Sequence, residues 1–381
     1  MIRRLSSLFK GYPLSKCRLS NSFKENLENS TIYNYYKGYR CFLLLTLLWI
    51  CFEGLNYYQL SGRPAETFVP GNYFGKALMP QFPDKVLFYS VMTLGLSIAI
   101  SLGRFYDNPI MRGILFIVVA WLNLFQWSFG FESSVGHLLI LTHFLAIFLP
   151  SLSSRSTQNK QTVYNSICVF YLGILITYSF SGLWKVIGLA YKLITVSTDI
   201  HWLNKGALYM AVISARNYDK DVSWMGPIFA IPLIWQILFL IVTYTQSIAF
   251  VSAFRLNIRI WIAGILILMH LANTLFFSTD FFNAPLVLLS IFFPYHLVSQ
   301  NNITHTFTSK VQGFGKDFSY TKIYEKGDID SFKGFYGYRE SWVDKHSLLG
   351  GLLFAPGVGV IGNLLFNLLG AKKGIGNPIK Q

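Results

Sequence analysis

Few side chains in the apolar stretches of this chain can ionise, and those few are the first candidates for chemistry. Glu53, His137, His143, Lys185, His270 and His296 lie within or at the edges of such stretches, with Asn273 three residues after His270 and Asp280 just beyond. An ionisable group in a bilayer-spanning segment costs about 2.5 to 3.5 kcal/mol on insertion scales, so each needs a reason to be there. Tyr164, Tyr171, Tyr178 and Lys185 fall seven residues apart. That spacing keeps them on one helical face with a drift of about 20° per heptad, a polar-tipped stripe that leads to an amine. An amine acts as a base when it is neutral at rest, a state that a low-dielectric surround favours. The same stripe also suits a simpler role, in which tyrosines and a snorkelling lysine anchor a helix at the membrane interface. His270 and Asn273, at i and i+3, share a face and suit hydrogen bonding to a neighbouring helix. No i, i+4 histidine pair or carboxylate at ligand spacing accompanies these residues, so no metal is expected. The four cysteines, Cys17, Cys41, Cys51 and Cys168, include no C-x-x-C and suggest neither a disulfide framework nor a zinc site.

The elements that must position these residues are read from hydropathy. Of 381 residues, 53% are hydrophobic, 17% aromatic and only 13% charged, the composition of a polytopic membrane protein. Eight apolar stretches, roughly 41–59, 86–102, 110–129, 136–150, 163–184, 227–252, 258–279 and 281–299, predict eight transmembrane helices, the fourth of them short. The net charge of +15 does not point to nucleic acid, because no basic stripe interleaved with stacking aromatics sits on a soluble region. With the N-terminus inside, 24 Lys and Arg fall on the inner side and 8 on the outer, the two around Arg104 and the two around Arg255 being counted with inner loops. This asymmetry predicts both termini in the cytoplasm; the topology fits a bacterial inner (plasma) membrane, and fits the endoplasmic reticulum as well.

Residues 1–40 read as a basic cytoplasmic segment without the apolar core of a cleavable signal, residues 41–300 as the transmembrane domain, and residues 301–381 as a cytoplasmic tail. Of the two outer loops, 60–85 is rich in Pro and Gly and predicts an ordered, non-helical connection. The other, 185–226, contains "HWLNKGALYMAVISA", which suits an interfacial helix over a cavity. In the tail, the apolar segment 348–371 is long enough to span, but Pro356, its glycines, Asn363 and Asn367 favour a segment docked at the membrane surface.

Three segments together resemble the transmembrane part of the vitamin K-dependent gamma-carboxylase family, within the wider HTTM (horizontally transferred transmembrane) group. In "GHLLILTHFLAIFLP", His137 matches a family histidine at the outer start of a span. In "SGLWKV", Lys185 falls on the second lysine of a G-x-K-K pattern, with Trp184 in place of the first, and in "HWLNKGAL" Trp202 and Gly206 match a following Trp and Gly element. In "MHLANTLFF", His270 and Asn273 match an H-L-x-N element. The resemblance covers about residues 35–300. It implies a site on the outer side where Lys185 is the general base toward a quinol resembling vitamin K hydroquinone, in a lyase-type carboxylation coupled to epoxidation. His137 and His270 would orient the quinol oxygens or hold the lysine neutral, and Tyr178, Trp202 and Asn273 would line the quinol site. The carboxylase's large outer domain, which binds its peptide substrate, has no counterpart in the roughly 80 residues after the last stretch, so peptide carboxylation is not expected.

The expectation is an all-α polytopic membrane bundle with a lipid- or quinone-sized cavity near Lys185, either oxidising a quinol or another lipid-soluble substrate or, without catalysis, binding a lipid or a partner subunit. Membrane lipids and a quinone are the expected partners, and nucleic acid and metals are not. A transporter fits less well, since neither inverted repeats nor paired broken helices are visible.

Overall fold

The computed structural model describes residues 21–70, 73–104, 108–130, 136–150, 160–195, 202–215, 223–277, 283–298, 307–312, 318–324, 327–345, 361–362, 365–366 and 379–380. The helices that carry the architecture are α1 (Asn21–Leu60), α2 (Lys85–Arg104), α3 (Pro109–Trp127), α4 (His137–Ile147), α5 (Lys160–Ile194), α6 (Ala207–Ala215), α7 (Pro232–Ile248), α8 (Leu256–Phe277), α9 (Asn283–Phe292) and α10 (Gly334–Lys345). Each of the eight apolar stretches becomes a helix, as an all-α membrane bundle requires. Six are long and apolar enough to cross a bilayer: Leu27–Leu60, Lys85–Gly103, Pro109–Trp127, Lys160–Ile194, Pro232–Ala253 and Leu256–Phe277. With 11 and 10 residues, α4 and α9 reach only about 15 Å at 1.5 Å per residue, half of a hydrocarbon core of about 30 Å. The expected eight spans are therefore six full-length helices and two half-length ones packed among them.

Local signals set the helix starts. Leu87 N donates to Asp84 Oδ1 at 2.9 Å ahead of α2, and Ile110 N donates to Asn108 Oδ1 at 2.8 Å ahead of α3. Pro109 and Pro232 occupy first-turn positions where no backbone donor is needed. The 60–85 connection is ordered but is not the non-helical one that its Pro and Gly content predicts: a 3-10 turn (Ala65–Thr67) and a short helix (Tyr73–Leu78) form between its prolines, Phe68, Met79 and Phe82 pack into the bundle end, Val69 N donates to Ser128 O at 2.7 Å, and Tyr57 OH donates to Pro83 O at 3.0 Å.

A helix leaves its last carbonyls without intrahelical partners, and where they are buried they need donors from elsewhere. Two buried arginines close such carbonyls, one at the end of α4 and one at the end of the 3-10 turn that continues α7. Arg112, the fourth residue of α3 and 1% exposed, donates Nη1 to Ala146 O (2.9 Å) and Leu149 O (2.7 Å) and Nη2 to Pro150 O (3.3 Å), at the end of α4. Arg259, the fourth residue of α8, donates Nε to Ser252 O (3.0 Å) and Nη2 to Ala253 O (2.8 Å), at the end of the 3-10 turn Ala249–Ala253 that continues α7. Each guanidinium lies over a buried tyrosine ring, Tyr39 at 5.4 Å and Tyr171 at 4.3 Å. Neither arginine is a loop charge, as the count by side had it.

At the contact of α5 with α7 the two backbones nearly touch. A Cβ at Gly182 would stand within 2.8 Å of Gln246 C and closer still to Ser247 N, so only glycine admits this approach. Ser179 Oγ accepts from Phe250 N at 3.0 Å one turn earlier.

Beyond the bundle the expected tail is a small α/β unit. Strands β1 (Phe307–Gln312), β2 (Ser319–Tyr324), β3 (Ile329–Lys333) and β4 (Ile379–Lys380) form an antiparallel sheet in the order β3-β2-β1-β4, with α10 across one face. Alternate residues Tyr320, Lys322 and Tyr324 point inward. The fully enclosed Lys322 Nζ lies 2.8 Å from Asp344 Oδ2 and 3.3 Å from Glu340 Oε2. Burial pushes the Lys322 amine down, and the two carboxylates outweigh that and raise it. Tyr336 and Val343 of α10 dock the unit against Phe250, Val251 and Ile258. Of segment 348–371 only 361–362 and 365–366 are described; there Phe366 packs against Phe335 within the unit, and the question of a further span lies outside the described residues.

Two measurements test this packing. Gly182→Ala forces α5 from α7 and should destabilise the protein by about 1 to 3 kcal/mol, read as a lowered melting temperature in nanodiscs. Lys322→Met removes the amine between Glu340 and Asp344, an expected loss of about 3 to 5 kcal/mol in the stability of the α/β unit, read by hydrogen exchange over β2 and α10.

Candidate functional site

Lys185 does not stand at a helix end. The stretch after it, "VIGLAYKLI", holds no proline and stays apolar, so α5 runs on to Ile194 and the connection expected from residue 185 begins only after it. Its 35 residues extend about 52 Å. Phe170 of α5 packs edge-on against Tyr35 of α1 at 5.9 Å. Tyr171 meets Phe292 at 5.1 Å, while Gly38 abuts the neighbouring Ser290 and Ile291.

Three helices meet around this amine. Lys185 Nζ, half-buried, donates to Gln246 Oε1 of α7 at 2.7 Å, and Gln246 Nε2 lies 3.1 Å from Met269 Sδ of α8. The next residue, His270, is buried and its Nε2 is 2.8 Å from Tyr178 OH, one heptad before Lys185 on α5. Tyr178, Lys185 and His270, singled out by residue type and spacing, are thus joined by α7 and α8 into one polar cluster. Asn273 follows His270 by three residues, on the same face of α8. Gln246 does not ionise and so does not stand out by residue type, although a glutamine in "IVTYTQSI" is itself a polar group in an apolar run. Thr243, three residues before Gln246 and on the same face of α7, has a buried hydroxyl with no hydrogen-bond partner.

The other candidates lie elsewhere. Trp202 stacks on Phe239 at 5.6 Å, seven residues and about 10 Å along α7 from Gln246, and its carbonyl accepts from Trp235 Nε1 at 3.2 Å. The segment around it covers the Pro232 end of α7. Helix α6, within the stretch read as interfacial, buries Leu208 and Val212 against Met225 in a cluster that includes Phe276 and Phe277 at the end of α8. His137 is exposed at the first position of α4 and packs edge-on against Trp127 at 5.5 Å; no described hydrogen bond joins it to Lys185 or His270. His143 is enclosed, with Nε2 3.0 Å from Thr46 Oγ1 and its ring 4.6 Å from Phe42, a bond between α4 and α1. His296 pairs with Asn34, tying the segment after α9 to α1. Asp280 lies outside the described residues.

No protein-family model, curated protein or solved structure matches the chain.

Chemically, the cluster offers an amine whose described partner is a neutral carbonyl, an imidazole held by a phenol, and a free hydroxyl, all among apolar side chains. Among the described residues no carboxylate pairs with Lys185, and no group of three or more His, Cys, Asp or Glu is placed to hold a metal ion. Gln246→Leu strands the amine and should lower stability by about 1 to 3 kcal/mol. Adding Lys185→Met should recover part of that loss, the coupling that a double-mutant cycle of melting temperatures in nanodiscs measures.

Proposed function

We propose that this protein is an integral membrane protein of the HTTM type that binds a lipid-soluble, hydroxyl-bearing molecule at the Lys185, Gln246, His270 and Tyr178 cluster, with Lys185 as proton acceptor. A quinol resembling vitamin K hydroquinone is the class of molecule we assign. The observation that carries this reading is the pairing of Lys185 with the Gln246 carbonyl instead of a carboxylate. An amine in an ion pair is committed to its proton, whereas one that donates to a neutral amide is available to take a proton from a ligand. Tyr178 fixes the ring of His270, which then presents a defined face toward a ligand oxygen. Thr243 adds a hydroxyl that can donate or accept. A bound quinol would supply a phenolic proton and, once ionised, reducing power toward oxygen. The arrangement supports a role for His270, Tyr178 and Asn273 close to Lys185, and it does not bring His137 into that role. The Lys and Arg asymmetry supports both termini on the cytoplasmic face of a bacterial inner membrane.

A second reading has its own support. Lys185 with Gln246 and Tyr178 with His270 form cross-helix pairs of the kind that hold a bundle together without catalysis, in a protein that binds a lipid or a partner subunit.

Quinol-dependent oxygen uptake by the purified protein in nanodiscs, with the quinone product assayed for epoxide, separates the two. Uptake that is lost in Lys185→Ala while the protein stays folded supports the base. No uptake by the folded wild type, with Lys185→Ala only lowering the melting temperature, assigns the lysine to packing.

A further inference from the structure

A second polar group in the bundle lies outside the Lys185 cluster. Glu53, on α1, has no exposed surface. Gln126 Nε2 of α3 donates to its Oε1 at 2.6 Å, and Asn56 Nδ2 faces its Oε2 at 3.4 Å. No described lysine, arginine or histidine pairs with it. A carboxylate fixed in the ionised state among apolar helices calls for a cation, and a position that is always apolar does not call for a carboxyl. The two amides resolve this. A primary amide offers N–H donors to a carboxylate and, turned by 180°, a carbonyl to the O–H of a carboxylic acid, so Gln126 and Asn56 satisfy either state in place.

Other polar groups lie near Glu53. On α3, beside Gln126, the fully buried Asn123 leaves Oδ1 and Trp127 leaves Nε1 without a hydrogen-bond partner, one open acceptor and one open donor. Asn123 Oδ1 sits against Gly136, and Trp127 carries the exposed His137 ring on its edge at 5.5 Å. Asn123 Nδ2 donates to Val119 O at 2.8 Å, so these groups lie along α3 between Glu53 and the start of α4 without being bonded in series. The other titratable groups nearby are committed. Tyr57 on α1 donates to Pro83 O and Tyr89 on α2 to Gly54 O, with Asp84 just before α2. On α5, Tyr178 and Lys185 are engaged by α8 and α7, and α9 has no titratable side chain.

We propose that Glu53 is a proton-exchange site: its carboxylate takes a proton from hydronium, releasing water, and returns it to water, while the Gln126 and Asn56 amides turn between donating to the carboxylate and accepting from the acid. This does not depend on the assignment of Lys185.

Dicyclohexylcarbodiimide tests it, since a carboxylic acid adds across the diimide to give an O-acylisourea that rearranges to a stable N-acylurea, whereas a carboxylate does not react. The wild type in nanodiscs is treated across a pH series and the peptide containing Glu53 is followed by mass spectrometry. In parallel, infrared difference spectra compare wild type with Glu53→Gln for a carboxylic-acid carbonyl band. The expected result is labelling of Glu53 that falls as pH rises, together with a carbonyl band that fades over the same range and is absent in Glu53→Gln. Neither label nor band changing between mildly acidic and mildly alkaline buffer, in protein that still melts cooperatively, would overturn the proposal and leave Glu53 as a static hydrogen-bonding group. The labelling arm uses unmodified protein, so it decides the matter even where Glu53→Gln fails to fold.

Discussion

In a bundle of this kind the dominant constraint falls on carbonyls left unpaired at buried helix ends, here the end of α4 and of the 3-10 turn after α7. Arg112 and Arg259 supply the missing donors, and each guanidinium is held flat over a tyrosine. The rest of the core follows from these two closures. Arg112 holds α4 against α3, which lets His143 reach Thr46 on α1. Arg259 holds the start of α8 against the end of α7, which brings Met269 and His270 to the level of Gln246 and Tyr178.

The polar cluster depends on a second contact that is purely steric. Gly182 lies between Tyr178 and Lys185 on α5, at the place where α7 comes closest. Any larger residue would push Gln246 from the amine, so absence of a side chain at one position sets the geometry of the charged one a turn away. Packing and site are here the same feature, which is why stability measurements alone do not distinguish a binding cluster from a helix clamp.

Much of the fold was legible in the amino-acid order because long apolar runs have few alternatives to helix in a membrane. Even the shortness of α4 shows in the limited run around 137–150. What remained hidden shares a cause: a residue's type does not say which way it faces. Arg112 and Arg259 close to the ends of apolar runs look like loop charges until the orphaned carbonyls beside them are seen. Tryptophan and lysine at 184 and 185 look like an interfacial boundary, although α5 continues past them. Lys322, polar and inward-facing, disguises β2 as solvated tail. Of the site, Tyr178, Lys185 and His270 were recoverable from type and spacing, whereas Gln246 and Thr243 emerge only when α7 is laid against α5.

The two arginines differ in one respect that bears on how the chain enters a membrane. The carbonyls that Arg259 closes precede it in the chain and are already made when it leaves the ribosome. Those that Arg112 closes belong to α4, which is synthesised later. A lone α3 carries Arg112 in its first turn, where a long cationic side chain reaches the interface, so the burial of this guanidinium waits on the arrival of α4.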